Sequence, residues 1–173
     1  MTYIVHYAFF IFVYFIYFFP IWDKNTRDKL VMHIIMFVYL SFVFTLTIIP
    51  LPTQFHFTNS ALLQSINFIP FRDIIYGYAF AKREALLNVI MMIPFGILLS
   101  LLTKKRLLAI VLATCLFSLT IETTQYFTIL FQTDYPRIVD ITDVITNTIG
   151  GFLGYSVLYV YKKLFQIIIK TPL

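Results

Sequence analysis

The sequence predicts an all-α membrane protein: a polytopic helix bundle of about five transmembrane helices, with a re-entrant or interfacial segment around 55–84. Three observations lead there. Of 173 residues, 60% are hydrophobic and 12% charged, which leaves little room for a soluble domain. Five stretches are long enough to cross about 30 Å of hydrocarbon. The 13 lysines and arginines fall singly or in short clusters between those stretches, as topology determinants do. The formal charge of +5 is therefore no nucleic-acid signature. A single integral membrane domain, 1–173, accounts for the chain.

The first span, 3–22, follows no basic start and contains no small-residue cleavage site, so it reads as a retained helix rather than a secretory signal. The second covers 30–51. The next segment, 52–84, is long for a loop in so small a protein. It contains Asn67-Phe68-Ile69-Pro70-Phe71-Arg72-Asp73, apolar enough to dip into the membrane surface where protein covers its backbone. The third span, 85–102, holds Pro94 and Gly96, which should bend or loosen it. The fourth, 107–131, contains Glu122 and the only cysteine, Cys115, a small apolar filler. The fifth, 144–161, contains Asn147. A tail at 164–169 either extends that helix or lies at the interface.

Positive charge sets the orientation. Lys24, Arg27 and Lys29, then Lys104-Lys105-Arg106, then Lys162, Lys163 and Lys170 fall on one side, against Arg72, Lys82, Arg83 and Arg137 on the other. Nine against four puts the larger group in the cytoplasm, with the N-terminus outside and the C-terminus inside.

A rise of 1.5 Å per residue then gives depth. Measured from the basic anchors, Asn88 lies about 27 Å up its helix, Glu122 about 24 Å and Gln125 about 28 Å. Asn147 lies about 22 Å and Asp143 about 28 Å above Lys162. Three helices thus bring carboxylates and amides to one layer in the outer half of the membrane, with Arg137 and Arg72 just above. Ionised carboxylates at such depth need partners. Arg137 or Arg72 could serve as bidentate donors, alongside the amides of Asn88, Gln125 and Asn147. The expected polar cluster is Arg72, Asn88, Glu122, Gln125, Arg137, Asp140, Asp143 and Asn147.

Structural roles compete for several of these residues. Asp140 and Asp143 also fit a helix start, as N-cap and first-turn acid. Gly150-x-x-x-Gly154 is the spacing that lets membrane helices approach closely, within one chain or between two. Asn88 and Gln125 could serve as interhelical glue. Glu122, Asp140 and Asp143 are hard oxygen ligands suited to Mg²⁺, Mn²⁺ or Ca²⁺, but arginines could occupy the same carboxylates, so the expectation is no metal and no cofactor. His6, His33 and His56 are dispersed and read as packed or interfacial. No nucleophile triad, P-loop or dinucleotide fingerprint is present.

The ordered set Asn67-Phe-Ile-Pro70-Phe71-Arg72, Asn88-x-x-x-x-Ile-Pro94-Phe95-Gly96, Glu122-x-x-Gln125 and Arg137-x-x-Asp140-Ile-x-Asp143-x-x-x-Asn147-x-x-Gly150-Gly151-x-x-Gly154 resembles the VanZ-like family of bacterial membrane proteins. It spans a core of 67–154. The resemblance implies a bacterial cell membrane location and a link to resistance against glycopeptide antibiotics, particularly lipid-bearing ones such as teicoplanin. It implies no established reaction. The expected function is binding or accessory action on lipid-linked envelope components at the outer leaflet, with membrane lipids, a lipid-linked peptidoglycan precursor or a lipoglycopeptide as partners. The alternative is an intramembrane enzyme with Glu122 as acid/base and Asp140 and Asp143 holding a metal or a water. Proton-coupled transport fits less well, because such sites tend toward the bilayer midplane.

Overall fold

The computed structural model describes residues 27–48, 66–129 and 139–170. The expected span at 3–22, residues 52–65 of the loop after the second span, and Arg137 lie outside those residues. Among the described residues four long helices pack together: α1 (Arg27–Ile48), α3 (Ala81–Thr103), α4 (Leu107–Ile129) and α5 (Ile141–Lys170). A four-residue helix, α2 (Arg72–Ile75), and two short strands, β1 (Ile66–Asn67) and β2 (Val139–Asp140), complete it. The fold is the all-α bundle read from the sequence. Among the described residues, α1, α3 and the Leu107–Phe127 part of α4 are long and apolar enough to cross a membrane. At 30 residues α5 is longer still, and it carries Asn147, several threonines and three glycines along its length. The tail belongs to α5, which runs unbroken to Lys170.

The most extensive interface joins α5 to α3, followed by α5 to α4; α1 packs less extensively against α3 and α4. Glycines explain why α3 and α5 lie so close. A Cβ placed on Gly96 would overlap the carbonyl oxygen of Gly151, one on Gly150 that of Val89, and one on Gly154 that of Ile93. Between membrane helices surrounded by equally apolar lipid, such close approach is the main source of attraction. Gly150 and Gly154 are therefore consumed in packing within this chain.

Away from the glycines the core is apolar: Met36, Val43, Met92, Phe95 and Ile121 are buried together. Phe117 of α4 stacks on Phe95 of α3, with ring centroids 4.7 Å apart. Tyr39 of α1 ties its hydroxyl to the Met91 carbonyl at 2.7 Å, so its polar end is satisfied inside the bundle. Pro94 lies within α3, which is helical from Ala81 to Thr103.

The strand pair is the feature that helical periodicity does not foretell. β1 and β2 run parallel, with Ile66 opposite Val139 and Asn67 opposite Asp140. This docks the segment after residue 65 against the start of α5. Beyond β1, the chain turns through Phe71 and Phe80, both with positive φ (57° and 72°), a conformation rare for bulky residues. Phe68, Ile75, Tyr76 and Phe80 stand exposed here, the composition expected of a membrane–water boundary.

Helix direction alternates. Gln125 near the end of α4 bonds to Thr47 near the end of α1, so those two ends share one face of the bundle. Arg27, Lys29, the turn Lys104–Arg106 and the later part of α5 with Lys162 and Lys163 occupy the opposite end.

Candidate functional site

The start of α5 organises the site. Asp140 is its N-cap: Oδ1 accepts a hydrogen bond from the Thr142 N–H at 2.7 Å, satisfying a donor that the first helical turn would otherwise leave orphaned. Its other oxygen, Oδ2, accepts from Asn67 Nδ2 at 2.9 Å. Asn67 in turn takes the Ile69 N–H on Oδ1 at 3.1 Å, so both ends of this buried amide are used. Thr142 Oγ1 accepts from the Phe71 N–H at 2.9 Å. The Asn67–Phe71 stretch is thus fastened to α5 by side chains as well as by the strand pair, which supplies the partners that irregular backbone needs at membrane depth.

The other elements deliver their groups to the same place. From α4, Glu122 accepts the Asp140 N–H on Oε2 at 3.2 Å and is 4% exposed. From α3, Asn88 donates to Asp143 Oδ1 at 2.7 Å. One layer below, Asn147 donates to Ser118 Oγ at 2.9 Å, both residues being buried. The remaining Asn147 oxygen is buried with no hydrogen-bond partner. Asp140, Asp143 and Glu122 lie close enough to act electrostatically on one another, and Asp143 also feels Asp73 and Glu84. A small cavity of about 30 Å³ is bordered by Asp73, Glu84, Asp140 and Asp143.

Asn88, Glu122, Asp140 and Asp143 are brought together, whereas Arg72, Gln125 and Asn147 have other partners. Arg72 does not grip Glu122 or Asp143; its Nε lies 3.5 Å from Asp73 Oδ1, and its side chain is 38% exposed. Gln125 points to α1, giving its Nε2 hydrogen bond to the Thr47 carbonyl at 3.0 Å. Asn147 serves Ser118 rather than a carboxylate. Arg137 lies outside the described residues. Among the described residues, amides and backbone N–H groups are the hydrogen-bond donors to Glu122, Asp140 and Asp143. Among the described residues no lysine, arginine or histidine is paired with Glu122, Asp140 or Asp143. No described group of three or more His, Cys, Asp and Glu side chains is arranged to hold a metal ion.

Sequence reasoning left out Asn67, Thr142 and Ser118. Asn67 was visible in the Asn67–Arg72 motif, but its link to Asp140 crosses 73 positions and depends on the strand pair. Beside the site, a chamber of about 220 Å³ reaches Glu122, Asp140 and Asn67. A larger groove of about 530 Å³ among α1, α3 and α4 holds none of the predicted polar cluster.

The VanZ/LLP1 family model matches residues 36–165. Over 73 residues the chain is 45% identical to Protein VanZ of Enterococcus faecium, a stretch covering 42% of this chain and 42% of that protein. The match thus spans less than half the length of that relative. No solved structure matches the chain.

Proposed function

Because the chain belongs to the VanZ/LLP1 family, we propose that it acts in resistance to lipid-bearing glycopeptides such as teicoplanin, by holding the polar head of a lipid-linked envelope molecule at the outer leaflet. One observation carries this reading. Carboxylates from α4 and α5 converge with amides from β1 and α3 beneath one end of the bundle, and no described cation neutralises them.

A purely structural network would be expected to close on itself. Burying Glu122 and half-burying Asp140 and Asp143 is expensive, and apolar packing of equal volume stabilises a bundle as well or better. In the orientation implied by the basic clusters, the carboxylates lie under the outer surface of the bacterial cell membrane, where they can orient amines and hydroxyls. Arg72, exposed at the rim, is placed to meet a phosphate or carboxylate of the same ligand.

The test is teicoplanin susceptibility in a strain lacking the protein, complemented with wild type, Glu122→Gln or Asp143→Asn at matched membrane levels. Both substitutions keep shape and remove an ionisable carboxyl, and each is expected to abolish the resistance that wild type restores. Full resistance with both substitutions in place would make the cluster structural only.

A further inference from the structure

Glu122 is nearly buried, and among the described residues it accepts a hydrogen bond on one oxygen only. The Asp140 N–H occupies Oε2, and among the described residues no donor faces Oε1. Asp140, by contrast, already accepts one hydrogen bond on each oxygen. The neighbouring chamber of about 220 Å³ is lined by Asn67, Glu122, Thr123 and Asp140 on its polar side and by apolar residues such as Phe68 and Leu119 elsewhere. Phe68 and Leu119 are themselves 77% and 42% exposed, so the chamber opens on the surface of the bundle, which in a membrane is the lipid-facing side.

We propose that this chamber is a lateral port for a single-chain aliphatic amine: the chain lies against the apolar wall and the ammonium group binds Glu122 Oε1. This rests on the binding role proposed above and names the chemistry of the head that the site takes.

The sign of the charge follows from the surroundings. Glu122 sits near two further carboxylates, Asp140 and Asp143. No described lysine, arginine or histidine is paired with any of the three. A buried anion in such company is strongly stabilised by a cation and strongly disfavours a second anion. The chain supplies access rather than selectivity, because lipid tails are as apolar as the chamber wall. Discrimination therefore falls on the head.

The experiment uses the full chain in phosphatidylcholine nanodiscs, equilibrated with labelled dodecylamine, dodecanol or dodecanoate, with empty nanodiscs as the blank. Dodecylamine is expected to be retained above the blank, and dodecanol and dodecanoate are not. Glu122→Gln should weaken amine retention about tenfold, the loss of one charge-assisted contact. Leu119→Phe, which fills the chamber, should remove it. The head-group series needs no variant, so a substitution that fails to fold leaves the test intact. Equal retention of amine and alcohol, or retention unchanged in Glu122→Gln, overturns the port. If amine selectivity is absent while resistance still requires Glu122 and Asp143, the port fails and the binding role stands. If resistance requires neither residue, the binding role itself fails, whichever amphiphile is retained.

Discussion

Gly96→Ala is expected to destabilise the bundle by about 2–3 kcal/mol, within the range for overpacking a tight core. Helix propensity alone argues the other way, since alanine is favoured over glycine inside a helix by about 0.5–1 kcal/mol. Packing reverses the sign. The added methyl would overlap the Gly151 carbonyl oxygen and lie 3.0 Å from the Gly151 carbonyl carbon and Cα. These are backbone atoms, so no rotamer change relieves the contact. Relief requires α5 to move away from α3, which breaks the approach of Gly154 to Ile93 and of Gly150 to Val89 in the same interface. The Asn88–Asp143 hydrogen bond joins the same two helices and would stretch with them. Reversible unfolding of detergent-solubilised protein by increasing denaturing detergent checks this. A midpoint equal to or above wild type would show that α3 and α5 are not in contact as described.

Exchanging the partners at 67 and 140 should separate the hydrogen bond from the identities of its two residues. Asp140→Asn alone places an amide donor against Asn67 Nδ2 while leaving the cap of Thr142 intact. Leaving a buried donor unpaired costs about 1–3 kcal/mol. Asn67→Asp alone sets a second carboxylate against Asp140, a repulsion in a buried site with a penalty at least as large. The double exchange restores one donor facing one acceptor, keeps an acceptor for the Ile69 N–H and another for the Thr142 N–H, and preserves net charge. Each single variant is expected to lose about 1–3 kcal/mol and the double variant to recover most of it. Losses that simply add would mean that the two side chains do not meet.

The sequence made several of these pairings legible because they obey helical arithmetic. Asn88 and Asp143 were expected at nearly equal height on α3 and α5, and they are joined at 2.7 Å. Asp140 as a helix cap followed from its residue type and position, and the cap is made. Other features depend on azimuth rather than height. Gln125 follows Glu122 by three positions but faces α1, and only knowledge of which helix lies on which side could have separated them. Ser118 was missed because hydroxyls in apolar helices commonly bond to their own backbone four residues back, as Thr114 does to Ile110. Asn67 and Arg72 belong to a segment placed by a parallel strand pair of two residues each, too short to leave a period in the sequence. That placement explains why the arginine expected among the carboxylates remains outside beside Asp73. Proximity along the chain to a polar motif did not bring Arg72 into the buried network.

The strand pair also fixes what the whole site depends on: the Asn67–Phe71 stretch closing over the first turn of α5, next to Glu122. Ile66 and Val139 are register partners that both line the chamber, and neither supplies a polar group to the site. Cysteines at these two positions, in a Cys115→Ala background, should join rapidly under mild oxidation in native membranes. The product should be a monomer of altered mobility that reverts on reduction. Failure to cross-link, with both thiols still reactive after denaturation, would contradict the docking of this segment and with it the site.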